Sequence, residues 1–154
     1  MSIQHREDSL TALRQGRPTK KQIKIAELGA ACEAAIFEGI TVETTQGPEH
    51  FAMTLNDQTN LGNLMLQAQA GASVLYHADG QLCRIFSPEE IMAVGAAAIQ
   101  HKTFHTTKCN HLNTWVRRTE DDGELEAITY DGPMPDDLAA SLAALLGGGG
   151  DGGK

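Results

Sequence analysis

Residues 101–111, HKTFHTTKCNH, hold four side chains able to bind a metal or move a proton: His101, His105, Cys109 and His111. On a helix rising about 1.5 Å per residue, His101 and His105 stand about 6 Å apart along the axis, so two imidazoles can share an ion. Cys109 then lies about 12 Å from His101, too far for one zinc whose bonds are about 2.0–2.3 Å long. His111, two residues past Cys109, faces roughly the other side. The row therefore cannot be a single three-ligand site. A pair would need ligands from elsewhere, and His50 and His77, each beside a strand aromatic, are the available donors. The same register also runs on through His105, Cys109, Leu112 and Val116, the spacing of a packed helix face. Packing is the expected role, with no metal and no cofactor.

Other catalytic patterns are missing from the sequence. There is no Gly-x-Ser-x-Gly, and the Gly-rich C-terminal stretch lacks the Lys-Ser/Thr of a phosphate loop. The acid pairs Asp121/Asp122 and Asp136/Asp137 suit helix N-termini, where negative charge complements the dipole. No catalytic residue is assigned and no enzyme is expected.

The elements that would position these groups follow from periodicity and turn chemistry. Residues 1–18 read as a polar, basic arm broken at Gly16-Arg17-Pro18, with a short helix near 8–15. From Thr19, a capping residue, a helix runs to Glu38 and ends at Gly39. Gly29 inside it predicts close packing. Ile40, Val42 and Thr44 alternate with Thr41 and Glu43, and Gly47-Pro48 marks the turn to a strand containing Phe51 and Met53. A helix from Asn56 presents Leu61, Leu64, Met65 and Ala68, and Gly71 closes it. SVLYHADGQLCRIF reads as a second hairpin turning at Asp79-Gly80. Ser87, Pro88 and Glu90 open a helix of about 30 residues, with Ser87 and Glu90 as a capping box. Pro135 opens a last amphipathic helix through Leu138, Leu142, Leu145 and Leu146. The expected fold class is α+β: a small antiparallel sheet of about four strands from two hairpins, packed against a long helix, with additional short helices. The expected segments are the arm at 1–18, an α+β domain at 19–131, the C-terminal helix at 132–146 and a flexible tail at 147–154.

Composition narrows the partners. Hydrophobic residues make up 41% and charged residues 21% of the 154, and the net charge is −8. No apolar run nears the ~20 residues of a membrane helix, and no apolar segment follows the N-terminal charges, so neither a membrane span nor a signal peptide is expected. Cys32, Cys83 and Cys109, odd in number and far apart, suit reduced thiols. Six of the twelve basic residues lie in the first 24 positions, and residues 119–137 carry eight acids and no base. These ends can attract each other within the chain, between subunits or through a charged partner, or remain two solvated faces. The basic cluster has no aromatic residue to stack on bases, so nucleic acid is not an expected partner. Arg14, Arg17, Lys20 and Lys21, with Leu138, Leu142 and Leu145, are the expected partner-binding residues.

From about residue 20 to 137 the chain resembles the XkdW-like phage and prophage tail-region domain of unknown function. The resemblance rests on Gly39-Ile40-Thr41-Val42, Phe51, Asp57-Gln58-Thr59-Asn60, Asp79-Gly80 and Ser87 to Glu90, in that order. His101, Leu112 and Trp115-Val116 continue it along the long helix. It implies a bacteriophage tail-region product with no catalytic residues. The role it suggests is a virion structural adaptor of the tail, fibre or baseplate. The alternative is a tail-fibre assembly chaperone absent from the mature particle. Implied partners are tail, fibre or baseplate proteins and copies of the chain itself in a symmetric assembly. Implied locations are the virion tail and, during assembly, the host cytoplasm.

Overall fold

A computed structural model describes residues 3–147 of the chain. The fold class is α+β. Helices α1 (Ile3–Arg14) and α2 (Lys20–Glu38) lead into strands β1 (Ile40–Thr44) and β2 (Gly47–Phe51). Helix α3 (Leu55–Gln69) is followed by β3 (Val74–Tyr76) and β4 (Arg84–Phe86), the long α4 (Pro88–Arg118), α5 (Asp122–Ala127) and α6 (Asp136–Gly147). The expected tail beyond Gly147 lies outside the described residues.

The chain divides into two compact units. A terminal unit comprises Met1–Cys32 and Thr106–Lys154, and a central unit comprises Glu33–His105.

In the central unit each hairpin is its own two-stranded antiparallel sheet, so the expected single sheet of about four strands is not formed. The first turn also differs from expectation. Thr44 pairs with Gly47, leaving Thr45 and Gln46 as the turn and placing Gly47-Pro48 inside β2. Gly47 has φ +88°, the conformation a glycine supplies after a tight turn at a G1 bulge. In the second hairpin Gln81 N–H bonds Ala78 O across Asp79-Gly80, as the sequence predicts. The ladder nevertheless stops at Tyr76↔Arg84. Asp79 pairs elsewhere: its N–H donates to His50 O at 2.8 Å, and its Oδ1 accepts Ala52 N–H at 3.1 Å. Loop 77–83 is thus spent on the end of β2 rather than on lengthening β3–β4.

Phe51, Tyr76 and Phe86 meet with ring centroids 6.0–6.1 Å apart. With Met53, Ile91 and Val94 they form the central core. Thr54 and Asp57 make a reciprocal capping box at the start of α3. Gly39, at φ +89°, ends α2 where an added Cβ would lie 2.0 Å from Phe51 O, so only glycine fits there.

The terminal unit buries Leu28, Leu112, Val116, Leu125, Ile128 and Leu138. Thr19 and Gln22 cap α2 reciprocally, at 3.1 and 2.8 Å. The arm is more ordered than expected: α1 begins at Ile3 and His5 on it is only 4% exposed. Gly29 packs against no other element, since apart from its chain neighbours and the backbone of its own helix no atom lies within 4 Å of its would-be Cβ. The close-packed helical glycine is instead Gly95, beneath Met65 of the central unit.

Candidate functional site

The histidine row on α4 is bound into its surroundings. His101 Nε2 lies 3.0 Å from Ala35 O and 3.2 Å from Ile36 O, both carbonyls near the end of α2. Both are acceptors, so Nε2 carries the proton and the imidazole caps that helix end. The His105 ring meets His101 edge-on at 4.7 Å and Phe104 at 5.1 Å. In the terminal unit, Cys109 Sγ lies 4.0 Å from Leu28 O and accepts from Asn113 Nδ2 at 3.9 Å. Burial pushes its thiol pKa up, as does contact with the buried Cys32. Burial also raises the Tyr130 hydroxyl, which bonds Cys32. His111 Nδ1 donates to Thr107 O at 2.9 Å, so its Nε2 accepts the Ser141 hydroxyl at 3.0 Å. Among the described residues, no group of three or more His, Cys, Asp or Glu is placed to hold a metal ion.

The opposed charge segments meet inside the terminal unit. Asp122 takes Lys20 Nζ at 2.9 Å and is also bonded to His5. These two partners, Lys20 foremost, hold the Asp122 carboxyl below its usual range. Lys21 Nζ donates to Arg117 O at 2.8 Å in the last turn of α4, and Lys24 Nζ to Ile128 O at 3.1 Å. Arg118 grips Asp137 with both terminal nitrogens, at 2.6 and 2.7 Å, and holds that carboxyl down at about 2. Of the seven residues expected to meet partners, Lys20 and Lys21 therefore have bonds within their own unit. Leu138 is buried there and Leu142 is half-buried. Arg14, Arg17 and Leu145 are exposed.

Two features of the central unit were not read from the sequence. The first is a charged cluster around Arg84. Its guanidinium reaches Glu90 at 2.9 and 3.1 Å and Glu49 at 2.7 Å, and sits 3.8 Å over the Phe86 ring. Glu90 also accepts Thr45 N–H at 3.1 Å. Ser87 Oγ does cap α4, accepting Glu90 N–H at 3.1 Å. The Glu90 carboxylate, however, serves Arg84 and Thr45, where the capping-box reading had directed it to the Ser87 backbone.

The second feature is an apolar trough between α3 and α4 of about 200 Å³. Its lining includes Met53, Leu61 and Met65, with Gly62 and Gly95 on the two helices and Lys102 at the edge. Ile99 in the lining is 57% exposed, and Leu66 on α3 is 66% exposed. The legible signal was a glycine in the interior of each helix, where glycine costs up to ~1 kcal/mol relative to alanine. The outer face of β3–β4 is also apolar: the cross-strand pair Leu75 and Ile85 is 67% and 68% exposed, and Leu82, in the loop between the two strands, is 90% exposed.

A family model described as "Domain of unknown function (DUF4376)" matches residues 19–130. No curated protein and no solved structure matches the chain.

Proposed function

The chain belongs to the DUF4376 family, and on that premise we propose that it is a non-enzymatic adaptor in a bacteriophage tail, fibre or baseplate apparatus. The resemblance to XkdW-like tail-region proteins, over about residues 20 to 137, supplies the setting. The observation that carries the adaptor role is the exposed, cross-strand paired apolar surface of Leu75 and Ile85. Apolar side chains scattered singly over a surface are ordinary, whereas a contiguous patch marks a protein interface. The charges favour protein partners over nucleic acid. Lys20, Lys24, Lys108 and Arg118 face acids of the same chain, and the net charge is −8. Tail, fibre or baseplate proteins, and further copies of the chain in a symmetric assembly, are the proposed partners. The proposed locations are the virion tail and, during assembly, the host cytoplasm.

The open trough between α3 and α4 favours a second reading. An assembly chaperone needs an apolar groove that is exposed when it is alone, and such a protein leaves the particle once the fibre is built. Mass spectrometry of purified virions separates the two. Stoichiometric presence with the tail proteins supports the adaptor. Absence from particles, with co-purification of a fibre protein from infected cells, overturns it in favour of the chaperone.

A further inference from the structure

We propose that the α3–α4 trough is the seat for an amphipathic helix of a partner protein, one carrying an aliphatic anchor and a carboxylate about one turn away. The proposal rests on the protein-binding reading above and names the chemistry of the partner.

Gly62 is the first argument. It sits within α3 (Leu55–Gln69), is exposed, and lines the trough. Its φ is not positive, and apart from its chain neighbours and the backbone of its own helix no atom lies within 4 Å of its would-be Cβ. Neither backbone conformation nor the packing of this chain requires a glycine there, although glycine weakens a helix interior. What a missing side chain does allow is close approach by another backbone. Gly62 also shares its helix face with Leu55 and Leu66, seven residues before and four after, each 66% exposed. A helix laid along this face meets leucines on either side of the gap left by Gly62.

The trough supplies the anchor pocket. About 200 Å³ bounded by Met53, Leu61 and Met65 accommodates an aliphatic side chain. Methionines suit such a seat because unbranched thioether chains adjust to the shape inserted. Helix-in-groove recognition reads apolar anchors at three- and four-residue spacing.

Charge complementarity gives the partner's polar group. Lys102 is the sole charged residue in the lining, and its Nζ is 2.7 Å from Gln58 Oε1. A carboxylate on the incoming helix would take up the remaining donors of that ammonium, whereas a basic residue there would be repelled.

The test uses the full chain and two fluorescein-labelled synthetic peptides. Both carry leucines at helical spacing on one face. One has glutamate at the flanking position and the other lysine. Fluorescence anisotropy should show the glutamate peptide binding about tenfold tighter than the lysine peptide. Gly62→Leu should abolish binding while leaving the melting temperature unchanged or higher, because it fills open space on a helix. Lys102→Glu should invert the peptide preference. Equal binding by Gly62→Leu, no charge preference, or no binding by the wild-type chain would each overturn the proposal. So would a concentration-dependent dimer, seen by sedimentation, that Gly62→Leu dissolves, since it would make a second copy the occupant. Virion composition remains a separate readout. A chain absent from particles that still binds the glutamate peptide defeats the adaptor reading alone. A chain present in particles that fails to bind it defeats the seat alone.

Discussion

Arg84 and Glu90 form a two-pronged ion pair, Nη1 to Oε2 at 3.1 Å and Nη2 to Oε1 at 2.9 Å. It joins the end of the second hairpin to the first turn of α4, and each partner has a further bond to the first hairpin, at Glu49 and Thr45. Both side chains are largely buried, with 23% of Arg84 and 10% of Glu90 exposed, so this is not a solvent-screened surface pair.

Acid should therefore weaken the central unit through Glu90. Hydrogen bonding from Arg84 holds its carboxyl down at about 2, against an ordinary value of 4.5. Glu49 is lowered in the same direction, first by the Thr44 hydroxyl and then by Arg84. A carboxyl depressed in the folded state stabilises fully above its unfolded pKa. That contribution fades as pH drops below about 4.5 and is gone near 2. Glu90→Gln should cost roughly 1–3 kcal/mol at pH 7 and flatten the loss between pH 4.5 and 3. Urea unfolding at the three pH values checks this, and a mutant with the wild-type pH dependence would contradict it.

Gly39→Ala and Gly71→Ala make a matched pair. Both glycines have positive φ, +89° and +88°, but only Gly39 would place a Cβ against backbone, at Phe51 O. Gly71→Ala should cost about 1–2 kcal/mol from conformation alone. Gly39→Ala should cost roughly 2–4 kcal/mol, because the β2 backbone must also move. Equal shifts in denaturation midpoint would remove the steric argument.

His101→Ala should lower stability by about 1–2 kcal/mol, because it removes the side-chain donor from Ala35 O and leaves Ile36 O with the Gly39 N–H alone, at 3.2 Å. His105→Ala, which removes a ring packed between His101 and Phe104, should also cost stability. Neither substitution should change the response to EDTA or added zinc. A wild-type melting temperature that shifts on chelation, and no longer shifts in either mutant, would restore the metal reading.

Leu112→Asp and Trp115→Asp should part company. By sequence pattern both continue the packed region of the long helix, which predicts that both substitutions unfold the domain. Leu112, however, is 0% exposed, so a carboxylate there should abolish cooperative melting of the terminal unit. Trp115 is half-buried, with its indole N–H on Glu124 at 2.7 Å. Its loss should lower the midpoint while preserving a transition. Calorimetry distinguishes these outcomes, and an unchanged midpoint for Leu112→Asp would reject the packing assignment.

Local chemistry explains what could be read from the sequence alone. Thr19 and Ser87 cap atoms three residues away, and the Asp79-Gly80 turn is closed by Gln81 N–H on Ala78 O, so these roles follow from covalent spacing. The element order and the α+β class follow in turn. The same spacing also showed that His101, His105 and Cys109 could not close on one ion. Tertiary structure decided which distant groups met. Glu90, three residues from its cap, matches a capping box, but the guanidinium of Arg84 is a stronger partner than a backbone N–H and draws the carboxylate away. Asp79 could have extended its own hairpin, yet the end of β2 offered it His50 O, Ala52 N–H and, at 2.6 Å, the His50 ring. Gly29 and Gly62 look alike in sequence to Gly95, and only the third lies beneath a methionine. Whether a helical glycine is packed or stands open depends on what lies opposite it, and no local pattern carries that information.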